Sequence, residues 1–120
     1  MKRFVLVVGF VAVSGVAHAA GDATAGAAVF QSQCAMCHSM VAGQNGIGPS
    51  LAGIVGKPAA SASGYDFSPA LKAAKLTWDA ATLDKFLAAP QSTVPGTKMP
   101  YMGLTDATQR ADVEAYLGSK

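Results

Sequence analysis

The chain has 120 residues, of which 51% are hydrophobic and 13% are charged, a composition that excludes an intrinsically disordered protein. The formal net charge is +2, but Lys2 and Arg3 lie in a segment that we expect to be removed, and the remainder has seven basic and seven acidic residues. Nucleic acid is therefore not an expected partner, because its phosphates attract strongly basic surfaces.

The N-terminus has the pattern of a secretory signal peptide. Lys2 and Arg3 form a charged start, the stretch from Phe4 to Val13 is apolar, and Ala17-His18-Ala19 supplies the small residues of a cleavage site. The alternative is a membrane anchor, although the apolar stretch is shorter than the ~20 residues of a bilayer span.

We accordingly predict a signal peptide over residues 1–19, cleavage before Ala20, and one domain over residues 20–120. The domain is expected to be exported to the periplasm. After cleavage we expect no stable membrane insertion, since no later apolar run is long enough to span a bilayer.

The first predicted helix of the domain runs from about Ala23 to Cys34, with Asp22 as its N-cap. It ends in Cys34-Ala35-Met36-Cys37-His38, the C-x-x-C-H pattern of c-type haem attachment. Two thiols one helical turn apart can each form a thioether with a haem vinyl group, and the adjacent His38 is then held under the iron. The sequence predicts one covalently bound haem c, with His38 as an iron ligand.

Two other sites are compatible with clustered cysteines. A zinc site normally has four ligands, and only Cys34, Cys37 and His38 are clustered here. A thioredoxin-like dithiol should open a helix after a strand, and no strand pattern precedes Cys34.

Beyond the haem motif, residues 42–64 are rich in Gly, Ala and Ser and show no periodicity, so they are predicted to be loop. Three further helices are predicted: Ser68 to Ala74, Asp79 to Ala89 ended by Pro90, and Asp106 to Leu117 with Thr105 as N-cap and Gly118 as stop. The fold class is all-α, with about four helices and long loops. Such loops suit a small domain only if the haem itself is part of the core.

A second axial ligand can be sought among the methionines. Met36 and Met40 are too close to His38 to reach the opposite face of the iron. Met99 lies in a segment stiffened by prolines on both sides, whereas Met102 lies in freer chain. We favour Met99; Met102 is better explained as a residue that fills a gap in the core.

The order and spacing of several segments resemble class I cytochrome c over Gly21 to Leu117, nearly the whole domain. The segments are Cys34 to His38, Gly48-Pro49-Ser50-Leu51, Gly64-Tyr65, Trp78, Pro90 and Pro95 to Met99. The resemblance is strongest to mitochondrial cytochrome c and its bacterial relatives. It implies a monomeric electron carrier in which His38 and Met99 are the axial ligands and the Pro49 carbonyl accepts a hydrogen bond from the His38 ring.

The resemblance also implies roles for two aromatic residues. The Trp78 indole N–H would donate a hydrogen bond to a haem propionate, although Trp78 is equally well explained as a large buried aromatic. Tyr65 would act in the same way. The first helix would cross the last, with Gly26 and Phe30 against Val113 and Tyr116.

Four positions depart from the mitochondrial pattern. Phe67 and Phe86 replace a usual Tyr, Leu71 replaces a usual Asn, and Lys57 replaces a usual Arg. Three of these changes remove polar groups near the haem, so the reduction potential of the family cannot be carried over.

The function implied by the resemblance is single-electron transfer between redox-partner proteins, without catalysis. Lys98 and Lys72 would lie near the exposed haem edge and steer these partners. An enzyme or a gas sensor would need an open iron position, and therefore displacement of Met99.

Overall fold

The computed structural model describes Gly9 and residues 21–120, so the predicted signal peptide and its cleavage before Ala20 lie, apart from Gly9, outside the described residues. The described residues form five helices: α1 (Ala23–Gln33), α2 (Pro69–Ala74), α3 (Ala80–Ala88), α4 (Pro90–Thr93) and α5 (Ala107–Gly118). The described chain has no strand, only an isolated antiparallel bridge between Pro58 and Thr77. The all-α class is confirmed. None of the described helices has the length and apolar content needed to cross a membrane.

Short polar side chains begin most of these helices. Asp22 Oδ1 accepts the Thr24 N–H at 2.9 Å, and Asp79 Oδ1 accepts the Thr82 N–H at 2.8 Å. Ser68 caps α2 in the same way, and Pro69 follows at the first helical position, where a missing N–H costs nothing. The predicted beginnings of the first three helices are therefore confirmed to within one residue.

The C-terminal half differs from the prediction in two details. Asp106, and not Thr105, is the N-cap of α5, because its carboxylate accepts the Gln109 N–H at 2.9 Å. Gly118 is the last residue of α5 and does not stop it.

Pro90 also has a second role. It ends α3, as predicted, but it also begins the four-residue α4, which the sequence analysis missed. Proline favours this position because its ring fixes φ and its absent N–H is not needed in a first turn.

Helices α1 and α5 cross closely. A Cβ added at Gly26 would collide with the backbone carbonyl of Asp112, so only glycine allows this approach. Next to the crossing, the rings of Phe30 and Tyr116 lie 5.3 Å apart between centroids. The crossing has the predicted partners.

Most of the buried hydrophobic residues form two clusters. The first contains Phe30, Leu104, Val113 and Leu117, and the second contains Trp78, Leu83, Phe86 and Val94. Ile54 packs against both. Members of both clusters line one large cavity, so the core is divided by a space that the protein itself does not fill.

Candidate haem site

A cavity of about 490 Å³ lies between the two core clusters. Its lining is mainly apolar, and its size falls within the ~300–1,000 Å³ typical of ligand sites. All of the site residues predicted from the sequence line it: Cys34, Cys37, His38, Pro49, Tyr65, Trp78 and Met99. The structure thus brings together residues that are up to 65 positions apart in the chain.

The end of α1 positions the two cysteines. Cys34 is the C-cap of α1, and its N–H donates to the Phe30 carbonyl at 2.8 Å. The chain then makes a tight turn in which the N–H groups of Cys37 and His38 both donate to the Cys34 carbonyl, at 3.1 and 2.9 Å. Both cysteines are free thiols at the wall of the cavity.

The environment of Cys34 does not favour a redox dithiol. Burial, together with a smaller effect of the neighbouring Cys37, raises the pKa of the Cys34 thiol to about 11. Reactive dithiols instead have a lowered thiol pKa, since the thiolate is the nucleophile. Nor do the described residues contain a group of three or more His, Cys, Asp or Glu side chains able to hold a metal ion by themselves.

The His38 ring is fixed by the loop that follows it. Nδ1 lies 2.7 Å from the Pro49 carbonyl oxygen, which can only accept, so Nδ1 carries the proton and Nε2 keeps its lone pair. Burial lowers the pKa of His38, while the bond to Pro49 raises it. A Cβ at Gly48 would lie 2.5 Å from the ring, so this loop can pass over His38 only with glycine at that position. The predicted contact between His38 and Pro49 is present.

Met99 reaches the cavity from the segment between α4 and α5. It is partly buried and packs against the second core cluster. Met102 behaves differently, because 91% of its surface is exposed and it does not line the cavity. The expectation that Met102 fills a gap in the core is therefore wrong.

Trp78 and Tyr65 lie at the same cavity in different hydrogen-bonding states. Trp78 is buried, with its ring 4.9 Å from that of Phe86, and its indole N–H has no partner in the described part of the chain. The Tyr65 hydroxyl donates its only proton to the Ile47 carbonyl at 2.8 Å. A bond from Tyr65 to a propionate would require release of Ile47, whereas the Trp78 N–H is available.

The apolar replacements noted in the sequence all contribute to the cavity wall: Phe67, Leu71 and Phe86. Lys57 does not line it and is exposed. The cavity is thus less polar than the family pattern would make it.

Further lining residues were missed by the sequence analysis. They include Ile47 and Ile54 and residues 60–62, all from the aperiodic loop. No periodicity marks them, because a loop side chain faces the cavity only through the path of the folded chain.

The residues present fit a haem. The cavity is apolar and large enough, two free thiols three residues apart line it, and His38 Nε2 accepts no hydrogen bond from residues 21–120. Cys34 and Cys37 would hold the group covalently, and His38 would bind its iron.

Comparison with known proteins agrees with this geometry. The family model described as Cytochrome c matches residues 23–120. Cytochrome c2 of Rhodomicrobium vannielii is 46% identical over 105 residues, which cover 87% of this chain and 83% of that protein. Cytochrome c of Euglena viridis is 40% identical over 97 residues, covering 81% of this chain and 95% of that protein.

A solved structure is also similar. Cytochrome cH from Methylobacterium extorquens matches with a TM-score of 0.79 and 48% sequence identity, covering 83% of this chain and all of that one. The fold, the family match and the relatives all agree with a haem site at the cavity that the C-x-x-C-H motif lines. The chain belongs to the cytochrome c family, as a class I c-type cytochrome that carries one covalently attached haem c.

Proposed function

We propose that this protein is a monomeric, periplasmic electron carrier in which His38 and Met99 are the two axial ligands of the haem iron. Its relatives include several proteins named cytochrome c2, which supports electron transfer as the activity. The predicted signal peptide supports export. The partners are proposed to be redox proteins that donate and accept the electron.

The observation that carries the proposal is that one His and one Met line a single apolar cavity. His38 presents an unprotonated Nε2 because Pro49 holds the proton on Nδ1. Met99 supplies a thioether, a soft ligand that favours the reduced state of iron.

When bound, the haem supplies an iron centre that takes up and releases one electron. The protein's own contribution is rigidity. Cys34 and Cys37 fix the group at two points, Pro49 fixes the His38 ring, and the apolar wall formed by Phe67, Leu71 and Phe86 excludes water. A dry, apolar wall disfavours the extra positive charge of the oxidised state.

Within residues 21–120, the cavity does not present the carboxylate or free imidazole that most often serves general acid–base catalysis. No Asp or Glu lines it in the described part of the chain, and the one imidazole is held by Pro49 and proposed to bind iron. We therefore propose that the protein is not an enzyme.

Carbon monoxide tests the proposal directly. The ferrous holoprotein should bind carbon monoxide slowly or not at all, because Met99 occupies the sixth position. A redox titration should show one transition of one electron. Rapid binding of carbon monoxide to the wild-type protein would instead favour a peroxidase-like enzyme or a gas sensor.

For the haem propionates we propose Trp78 as a hydrogen-bond donor. Trp78 lines the cavity, and its indole N–H makes no hydrogen bond with residues 21–120, which supports this role. The test is the reduction potential of Trp78→Phe as a function of pH, since losing the donor raises the pKa of the propionate. An unchanged potential between pH 5 and 8 would leave Trp78 as a buried aromatic only.

A further inference from the structure

The segment that carries Met99 has few backbone contacts of its own. The Thr97 N–H donates to the Val94 carbonyl at 3.0 Å, and the Leu104 N–H donates to the Leu87 carbonyl at 2.8 Å. Between them, only the Met99 N–H has a partner within residues 21–120, namely the Thr97 hydroxyl at 3.4 Å. The position of this segment must therefore depend on side chains that reach it from elsewhere.

Gln91 is one such side chain. Its Nε2 lies 2.8 Å from the Met99 carbonyl oxygen and 3.4 Å from the Thr97 carbonyl oxygen. Both partners are acceptors, so the two hydrogens of the NH₂ group must face them. One side chain thus binds the backbone on both sides of Lys98.

The residue after Met99 makes this contact more effective. Pro100 restricts the Met99 backbone to extended conformations. When Gln91 holds the Met99 carbonyl, few positions remain for the Met99 side chain.

The helix that carries Gln91, α4, is itself firmly packed into the protein. The residues at either end of α4, Pro90 and Val94, are almost completely buried. The Thr93 hydroxyl donates to the Lys85 carbonyl at 3.0 Å, which ties α4 to α3. Because α4 is anchored in this way, the Met99 segment (residues 97–104) can move away from the cavity only if the Gln91 hydrogen bonds break.

We propose that Gln91 is a positioning residue that holds the Met99 segment against the cavity. The inference rests on the proposed ligation by Met99. An external ligand can reach the iron only after the segment opens, so Gln91 sets how often it opens. A hydrogen bond of this kind contributes about 0.5–1.5 kcal/mol, so its loss should speed opening about 2- to 12-fold.

The experiment measures imidazole binding to the ferric holoprotein at imidazole concentrations high enough that opening limits the rate. Gln91→Ala should raise this limiting rate about 2- to 12-fold. Gln91→Glu should raise it at least as much, because its carboxylate faces two carbonyl oxygens. Ser92→Ala is the matched control; Ser92 is the exposed neighbour in α4, and this variant should behave like the wild type.

Two further measurements separate positioning from general stability. The free energy of unfolding in denaturant should fall by no more than the same ~0.5–1.5 kcal/mol, because unfolding breaks this one contact as well; a larger fall would mean that the substitution weakens the whole fold. In a Met99→Ala background the Gln91 substitutions should have no additional effect on imidazole binding, because no ligand remains to be displaced.

Unchanged imidazole kinetics in both Gln91 variants, or an equal acceleration in the Met99→Ala background, would overturn the positioning role while leaving the ligand assignment intact. If Met99→Ala itself leaves the ferric iron–thioether absorption band unchanged, the ligand assignment fails, and the inference fails with it.

Discussion

The backbone N–H of Asp22 donates a hydrogen bond at 2.8 Å to Oδ1 of Asp112, 90 positions further along the chain. The contact joins the N-cap of α1 to the middle of α5. It lies beside Gly26, where the two helices approach so closely that no side chain fits. This hydrogen bond and the close helix packing that Gly26 permits bring the two ends of the domain together.

Gly26→Ala should destabilise the protein. Alanine is the better helix former, but its Cβ would collide with the Asp112 carbonyl, so we expect a net loss of about 1–3 kcal/mol. Denaturant unfolding of the holoprotein measures the loss. Ala28→Val, on the exposed side of α1, should cost less than ~1 kcal/mol. Equal costs for the two variants would contradict the close crossing.

Loss of either haem attachment should prevent normal folding. The cavity of about 490 Å³ divides the core, and a domain of this size cannot leave such a space empty and remain stable. Cys34→Ala and Cys37→Ala should therefore accumulate poorly in the exported compartment. Circular dichroism of any protein recovered checks this. A haem-free variant with the full helical signal would contradict the prediction.

Met99→Ala and Met102→Ala should have opposite consequences. Met99 lines the cavity, so its loss should abolish the weak iron–thioether band of the ferric protein, lower the reduction potential and open the iron to small ligands. Met102→Ala should leave all three properties nearly unchanged, because 91% of the Met102 surface is exposed. The reverse pattern would reassign the sixth ligand to Met102. An unchanged band in both variants would exclude methionine.

Lys98 should influence how fast redox partners arrive. Its ammonium group donates to the Asp66 carbonyl and lies 4.6 Å from the centre of the Tyr65 ring, at the wall of the cavity. Residues 23–56 contain no Lys, Arg, Asp or Glu, so steering must come from elsewhere on the surface. Lys98→Glu should slow electron transfer about 2- to 10-fold at low ionic strength.

The control for Lys98 is Lys120→Glu, which makes the same change of charge at the exposed C-terminus. The difference between the two variants should disappear at high salt, because screening removes steering. A rate independent of ionic strength in the wild type would show that Lys98 serves solubility only. Lys72, which is exposed and 4.0 Å from the Asp66 carboxylate, should have a smaller effect.

Glu114 should make stability depend on pH. Burial and, to a smaller extent, the nearby Asp84 raise the pKa of its carboxyl to about 7, against the opposing effect of Arg110. One oxygen, Oε1, is buried and accepts no hydrogen bond from the residues that the structure describes. Because the folded pKa exceeds the ordinary value of 4.5, the stabilising contribution of the neutral acid is complete below pH 4.5 and is lost as the pH rises through 7.

Glu114→Gln should remove this dependence and be about 1 kcal/mol more stable than the wild type at pH 8, after allowance for solvent screening. Unfolding free energies between pH 4.5 and 8 measure the difference. Asp66→Asn, at an exposed carboxyl, should keep the wild-type slope. Parallel curves for Glu114→Gln and the wild type would contradict the shift.

Much of the site could be predicted from sequence because its chemistry is local. Cys34, Cys37 and His38 are neighbours in the chain, so their spacing alone indicates haem attachment. Helix caps are equally local: Asp22, Asp79 and Ser68 each bind an N–H two or three residues later. Thr105 and Asp106 are adjacent, and both are suitable N-cap residues. The sequence pattern does not distinguish them, and the prediction of Thr105 was wrong.

Family resemblance extended the prediction to contacts that spacing cannot reach. The partners His38 and Pro49, and the crossing at Gly26, were expected on that basis and are present. The exposure of Met102 was not expected, because the sequence does not show which loop residues face solvent.

Sequence alone was enough to predict the cofactor, its attachment residues, the all-α class and most helix beginnings, because each depends on residues within one or two turns of each other. The folded structure was needed to show that Gln91 binds the Met99 carbonyl, that the Tyr65 hydroxyl donates to the Ile47 carbonyl, and that Glu114, with one buried oxygen, lies near Asp84 and Arg110. These contacts join a loop or helix to a distant segment. A polar side chain carries no mark of its partner until the folded chain brings the two within hydrogen-bonding distance.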